Sequence, residues 1–248
     1  MSNLYESLSA GYACLSAWAD LIDRINVFPV ADADTGTNLR ISLAPFRNPA
    51  DDNSPIERRL ALCATGNSGN IAAAFFQEFC QAQTFSDLAK FTASGRKKAW
   101  QAVADPCKGT MLSVFDSLAS TLPSLPEVES VYEPLCTALQ TAVLETSQLL
   151  PDLREAGVVD SGALAMYLFF DGFFSHLSSQ QGPKVSLLEL FVGNLAISSD
   201  FIPKATESHC IDAVIQRGDQ HEINKDNLAS LGESLVVVED GSTFKVHI

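Results

Sequence analysis

Two carboxylates two residues apart, Asp32 and Asp34, lie in the stretch Asn26-Val27-Phe28-Pro29-Val30-Ala31-Asp32-Ala33-Asp34-Thr35-Gly36-Thr37-Asn38. Spacing of this kind lets both carboxylates converge on one hard cation. Mg²⁺ favours one or two carboxylates together with substrate phosphates. Thr35-Gly36-Thr37-Asn38 then supplies hydroxyls, a flexible glycine and backbone N–H groups where a helix can begin, which is equipment for holding phosphate. The same residues also suit an acidic turn with a helix cap.

Three further junctions repeat the theme. Thr65-Gly66-Asn67-Ser68-Gly69-Asn70 precedes an apolar helix, Ile71 to Cys80, with Asn67 or Ser68 as the alternative reading of an N-cap. Pro106-Cys107-Lys108-Gly109-Thr110-Met111 opens a helix that runs to about Leu122. A short helix follows Leu150, turns at Gly157, and leads through Asp160-Ser161-Gly162 into the apolar helix Ala163 to Leu177. Each junction places N–H donors at the positive end of a helix dipole. Clustered at one end of a bundle, the four would line an anion site.

The elements that must position them are helical. Leu4, Leu8, Tyr12, Leu15, Trp18, Leu21 and Ile22 recur at spacings of three and four, so residues 3–23 read as a helix. Helices are also expected over about 37–45, 56–64, 85–104, 127–150 and 187–191. No convincing alternating strand occurs before about residue 195. The pattern then changes: Cys210 to Gln216 alternates like a strand, 225–231 reads as a short helix, and Leu235–Val238 and Phe244–Ile248 read as strands around a turn at Glu239–Ser242. This gives a mainly α chain with a helical unit over 1–197 and a small α+β unit over 205–248. The smaller unit is near the lower limit for an independent core and is expected to pack on the helices or on a second copy.

The net charge of −14 disfavours nucleic acid and anionic membrane as partners, and it requires a cation or a nest of N–H groups wherever a nucleotide binds. No run approaches the roughly 18 apolar residues of a membrane span, and the N-terminus carries no signal-like segment. The six cysteines are scattered without a C-x-x-C pair, which fits reduced thiols in a cytoplasm.

In order and approximate spacing, Asn26 to Asn38, Gly66 to Gly69, Gly109-Thr110 and Ala156 to Gly162 resemble the DhaL-type nucleotide-binding domain. They are most similar to the N-terminal part of the ATP-binding subunit of bacterial fatty-acid kinase, and more distantly to the dihydroxyacetone-kinase L subunit. The resemblance covers about residues 3–195. It implies an antiparallel helical barrel holding ATP and two Mg²⁺ ions at its open end. By position it implies Asn26, Asp32 and Asp34 as magnesium ligands, Asn26 standing where the dihydroxyacetone relatives carry a further carboxylate. Thr35, Gly36, Thr37 and Asn38 are then expected to face the phosphates. Asn67, Ser68 and Gly69 add contacts, Gly109, Thr110 and Met111 lie near the nucleotide, and Asp160, Ser161 and Gly162 close the site. No catalytic side chain is identified beyond the metal and phosphate ligands.

The resemblance also implies a kinase component that transfers the γ-phosphate to a fatty acid carried by a separate DegV-type protein. Transfer to dihydroxyacetone or a similar polyol is the alternative, as is a nucleotide-binding regulator without turnover. The C-terminal piece resembles the start of that kinase's middle domain, which makes Cys210 and His247 candidate zinc ligands, with His209 as a substitute for a further one. A region that engages the acyl carrier in the full kinase subunit has no counterpart here, so the chain alone is expected to bind Mg-ATP but to phosphorylate poorly. A homodimer is expected, with Leu235–Val238 or Phe244–Ile248 as its strand edge. Three departures from the family pattern stand out: Ala33 where Asp-Gly-Asp is usual, Thr65 where arginine often precedes Gly-Asn-Ser-Gly, and Lys108 where glutamate usually precedes Gly-Thr.

Overall fold

The computed structural model describes residues 2–49, 54–180, 185–203, 210–216, 225–232, 234–241 and 243–248. Among these, eleven helices precede a three-stranded sheet: α1 (Ser2–Ala17), α2 (Ala19–Arg24), α3 (Thr35–Ser42), α4 (Ile56–Cys63), α5 (Gly66–Phe79), α6 (Phe85–Ala102), α7 (Met111–Thr121), α8 (Tyr132–Leu149), α9 (Pro151–Ala156), α10 (Ser161–Leu177) and α11 (Leu187–Leu190). The sheet unit consists of β1 (Asp212–Gln216), α12 (Lys225–Ala229), β2 (Val236–Asp240) and β3 (Thr243–His247).

The helices form a barrel around α10. This helix is apolar nearly all round and buries Phe169, Phe170, Phe173 and Phe174, as expected of a helix enclosed on every side. The barrel interior is filled by aromatic rings: Phe75 stacks on Phe115 with centroids 4.0 Å apart, and Phe76 meets Phe46 edge-on at 5.1 Å. Rings of this size contribute much of the buried apolar area.

Several boundaries differ from the sequence reading. The first expected helix breaks at Trp18 into α1 and α2. The helix expected from 127 starts at Tyr132. The Gly66–Gly69 stretch forms the first turn of α5 rather than a loop before it, and its N-cap is Thr65, with extended φ and ψ.

The sheet order is β1-β3-β2, antiparallel throughout, with Asp212 and Val236 both paired to His247. Alternation along the strands separates two faces. Val236 and Val238 pack on Ala74 and Ala102 of α5 and α6. Leu235, Val237, Phe244 and Val246 form a second small core beneath Leu228 of α12. Ala104 N–H donates to the Leu235 carbonyl at 3.0 Å, tying the end of α6 to the sheet. The strand edges expected to self-associate are therefore engaged: β3 is central, and β2 lies against the helices. The exposed edge belongs to β1, where Val214 is 59% and Ile215 36% exposed.

Among the described residues, no helix is long and apolar enough to cross a membrane. None of the six cysteines is in a disulfide among the described residues.

Candidate functional site

The residues before α3 form a self-contained knot. Asn26 is buried. Its Nδ2 donates to the Val30 carbonyl at 2.9 Å, and its Oδ1 accepts from the Thr35 N–H at 3.1 Å and the Thr35 hydroxyl at 2.6 Å. Asp23, at the end of α2, accepts from the Gly36 and Thr37 N–H groups at 2.6 and 3.0 Å and from the Thr37 hydroxyl at 2.7 Å. The Asn38 N–H bonds the Asp34 carbonyl at 2.8 Å. The four donors at the start of α3 are thus satisfied inside the protein. Gly36 serves packing, since a Cβ there would strike the Ala19 carbonyl of α2. Asp23 carries no motif; the apolar period of α2 hides its role as a cap acting from outside the helix.

Above this knot sit the two carboxylates. Asp32 is exposed as a residue. Loss of water around its carboxyl, followed by the charge and hydrogen bond of Asp34, pushes its pKa up to about 6. Among the described residues no cation pairs with these two carboxylates, so each disfavours the charge of the other. Ala33 between them holds φ at +56°.

The start of α5 is different. Gly66 has φ +67°, a conformation that side chains disfavour. The Asn67 and Ser68 N–H groups have no acceptor among the described residues. The side-chain oxygens of Asn67 and Asn70 are buried without a partner. Ser42 of α3 fixes this turn by accepting from the Thr65 N–H at 3.0 Å, and a Cβ on Gly69 would meet the same hydroxyl.

The remaining two starts share one cap. The carboxyl of Asp160 is buried and accepts from the Ala163 N–H at 2.7 Å, with the Gly162 and Met111 N–H groups also directed to it. Burial raises its pKa to about 7 despite these bonds. The Thr110 hydroxyl accepts from the Leu112 N–H at 3.3 Å. Gly109 (φ +90°) makes the turn before α7 and packs on Leu149 and Leu150.

All four starts converge on two adjoining cavities. The larger, about 590 Å³, is mostly apolar; Ile71, Val103, Met111, Leu112, Leu235 and Val236 line it, with Thr110, Cys107, Asp160, Ser161 and Gly162 at its polar side. The second, about 560 Å³, holds Asn26, Asp32, Asp34, Asn38, Thr65 and Gly66 against Cys210, Asp212 and His247. Phe28, Pro29, Thr35, Asn67, Ser68, Gly232 and Ser234 line both. Of the residues the sequence singled out, the structure places Asn26, Asp32, Asp34, Thr35, Asn38, Asn67, Ser68, Thr110, Met111, Asp160, Ser161, Gly162, Cys210 and His247 at these two cavities. Gly36, Thr37, Gly69 and Gly109 line neither cavity and serve the helix starts from behind.

No set of three His, Cys, Asp or Glu side chains among the described residues converges as a metal site. Cys210 and His247 share a cavity with Asp212 but do not converge with it on one point as metal ligands, and His209 lies outside the described residues. Two groups that the sequence reading missed, Asp212 and Lys245, reach across from the sheet. Asp212 bonds Thr65, Gly66 and Asn70, and Lys245 Nζ donates to the Ala64 carbonyl.

A family model described as the DAK2 domain matches residues 29–175. Protein YloV of Bacillus subtilis is 31% identical, with 98% of this chain aligned to 50% of that one. An uncharacterized protein of Staphylococcus saprophyticus is 29% identical, with 98% of this chain aligned to 49% of that one. The chain spans about half the length of these curated relatives. The dihydroxyacetone kinase of C. freundii has a similar fold, with a TM-score of 0.52 and 18% identity over 72% of this chain and 34% of that one. The motif order, the helical barrel and the matched 29–175 stretch agree: the chain belongs to the DAK2-domain family, of DhaL type.

Proposed function

We propose that the chain is the nucleotide-holding part of an ATP-dependent phosphotransferase. The observation that carries this reading is the convergence of four helix starts and a carboxylate pair on two adjoining cavities. The cavity lined by Ile71, Val103, Met111 and Leu112 suits a nucleobase, and the one that holds Asp32, Asp34 and the start of α5 suits phosphates with their cation. The donor set fits magnesium: Asp32 and Asp34 are hard oxygen ligands with no cation paired to them among the described residues. They would hold the ion, and it would supply charge neutralisation on the phosphates, the main requirement of phosphoryl transfer.

The chain's own residues then divide the work. Asn67 and Ser68 present N–H donors to phosphate. Asn26 and Asp23 hold the carboxylate loop in place without touching the ligand. Met111, Thr110 and Ser161 bound the nucleotide. The helical unit, expected over 1–197, holds the nucleotide, and Leu235 and Val236 of the sheet unit close its side. The acceptor is the carboxylate of a fatty acid held by a separate DegV-type protein, a reading supported by the likeness of the Asn26–Asn38 motif to that kinase family.

Isothermal titration with Mg-ATP tests the nucleotide reading, and micromolar affinity that disappears with EDTA is the expected result. Heat-free titrations with and without Mg²⁺ would overturn it. Mass spectrometry of reactions containing Mg-ATP, a loaded acyl-binding protein or dihydroxyacetone then identifies the acceptor. Phosphate appearing on the polyol alone would replace the fatty-acid assignment.

A further inference from the structure

The start of α5 lacks a capping side chain of its own, yet it already holds an anion from the sheet. Asp212 Oδ2 accepts from the Thr65 hydroxyl at 3.1 Å and the Gly66 N–H at 3.3 Å, while Oδ1 accepts from the Asn70 amide at 3.3 Å and faces His247 Nδ1 at 3.1 Å. A helix N-terminus attracts negative charge, and a carboxylate satisfies the same donors as a phosphate. The occupation is incomplete. The neighbouring Asn67 and Ser68 N–H groups have no acceptor among the described residues, and the fully buried Asn70 keeps an orphaned side-chain oxygen.

We propose that Asp212 is an internal stand-in for phosphate at the start of α5, and that a nucleotide phosphate bound there competes with it. This rests on the nucleotide reading given above. Like charges within a few ångströms repel, and the 34% exposure of the Asp212 side chain screens that repulsion towards its value in water. The register confines the consequence to one strand. Asp212 pairs with His247 on the central strand, whereas Val236 and Val238 stay packed on Ala74 and Ala102. When phosphate arrives, the β1 end of the sheet loosens and the β2 end stays docked. The sheet thereby lowers nucleotide affinity while it still walls the base cavity.

The opposite role, Asp212 positioning α5 for its ligand, gives the opposite sign in one experiment. Asp212→Asn keeps the size and one acceptor oxygen and removes the charge. Wild type and D212N are titrated calorimetrically with adenosine, Mg-ADP and Mg-ATP, and Asp212→Ser serves as a second variant with a smaller acceptor. The expected result is unchanged adenosine affinity and about tenfold tighter binding of the phosphorylated ligands. Equal or weaker Mg-ATP binding by both variants, or a gain that adenosine shares, would overturn the inference and leave the nucleotide reading standing. Absence of binding by wild type and variants alike would overturn both.

Discussion

The starts of α3 and α5 are both rich in glycine, threonine or serine, and asparagine, yet the structure uses them in opposite ways. At α3 every first-turn donor is taken by a side chain of the same unit, Asn26 and Asp23, or by the Asp34 carbonyl. At α5 no side chain of the helical unit caps the turn; the carboxylate comes from a distant strand, and two N–H groups stay unpartnered among the described residues. A closed start is a rigid mount, and what it mounts is the Asp32–Asp34 pair. An open start is a receptor for anions. The lesson is that a glycine-bearing helix start shows its function only when its donors are traced to their acceptors.

The largest expected effect on ligand binding breaks the closed start at what it carries. Asp34→Ala removes one of two carboxylates from the cation site and leaves the α3 donors capped, because the Asn38 bond goes to the Asp34 backbone. Mg-ATP affinity should fall at least about a hundredfold, or roughly 2.7 kcal/mol, with little change in unfolding midpoint. Calorimetry together with a denaturant curve measures both. Undiminished affinity would make the pair an acidic turn and move the whole of ligand binding to α5.

Asp160 closes two starts at once, and its cost depends on pH. Its folded pKa of about 7 lies above the value near 3.9 of an unfolded aspartate. Between those values the folded state binds the extra proton. Unfolding free energy therefore falls as pH rises from about 4 to about 7 and levels off above that window. Counted in full, the effect is about 4 kcal/mol. Asp160→Asn keeps a capping oxygen and should flatten this slope, so the difference between wild-type and variant unfolding curves across pH 4–8 is the measurement. Parallel curves would mean that water reaches the carboxyl.

Much of this site was legible in the sequence because polar helix starts announce themselves by composition. Asp32, Asp34, Asn67, Ser68 and Asp160 stand beside the glycines that mark each start. What stayed hidden acts from elsewhere in the chain. Asp23 sits in the apolar period of α2 and caps a helix that begins twelve positions later, at Thr35. Asp212 lies on a strand whose register alone brings it to Thr65. Gly36 and Gly69 look like phosphate glycines, but they answer to backbone and hydroxyl neighbours on α2 and α3. The strand edge was misassigned for a related reason: alternation identifies strands, whereas the order β1-β3-β2 depends on which of them α5 and α6 cover.

Asp23→Ala tests whether α3 is closed for stability rather than for binding. It leaves the Gly36 and Thr37 N–H groups and the Thr37 hydroxyl without their carboxylate. The loss of a charged cap should lower stability by about 2 kcal/mol, read from urea unfolding. Saturating Mg-ATP should restore no more stability to the variant than it gives the wild type. Preferential rescue by nucleotide would show that the freed donors accept phosphate and that the two starts are interchangeable.

The smallest effect concerns how the closed start holds its carboxylates. Ala33 is exposed and sits at φ +56°, so its Cβ gains no packing that offsets the left-handed backbone. That conformation costs a non-glycine residue about 1–2 kcal/mol, while glycine loses more freedom on folding, by about 0.5–1 kcal/mol. The balance favours Ala33→Gly by about 0.5–1 kcal/mol. Unfolding free energy should rise by that amount, and Mg-ATP affinity should change by less than about threefold, because Asn26 and Asp23 already fix the loop on both sides. A stability loss would mean that the turn gains from the stiffness of alanine. An affinity gain well above threefold would mean that the carboxylate pair is strained in the free protein, and α3 would then be less rigid a mount than its closed hydrogen bonds imply.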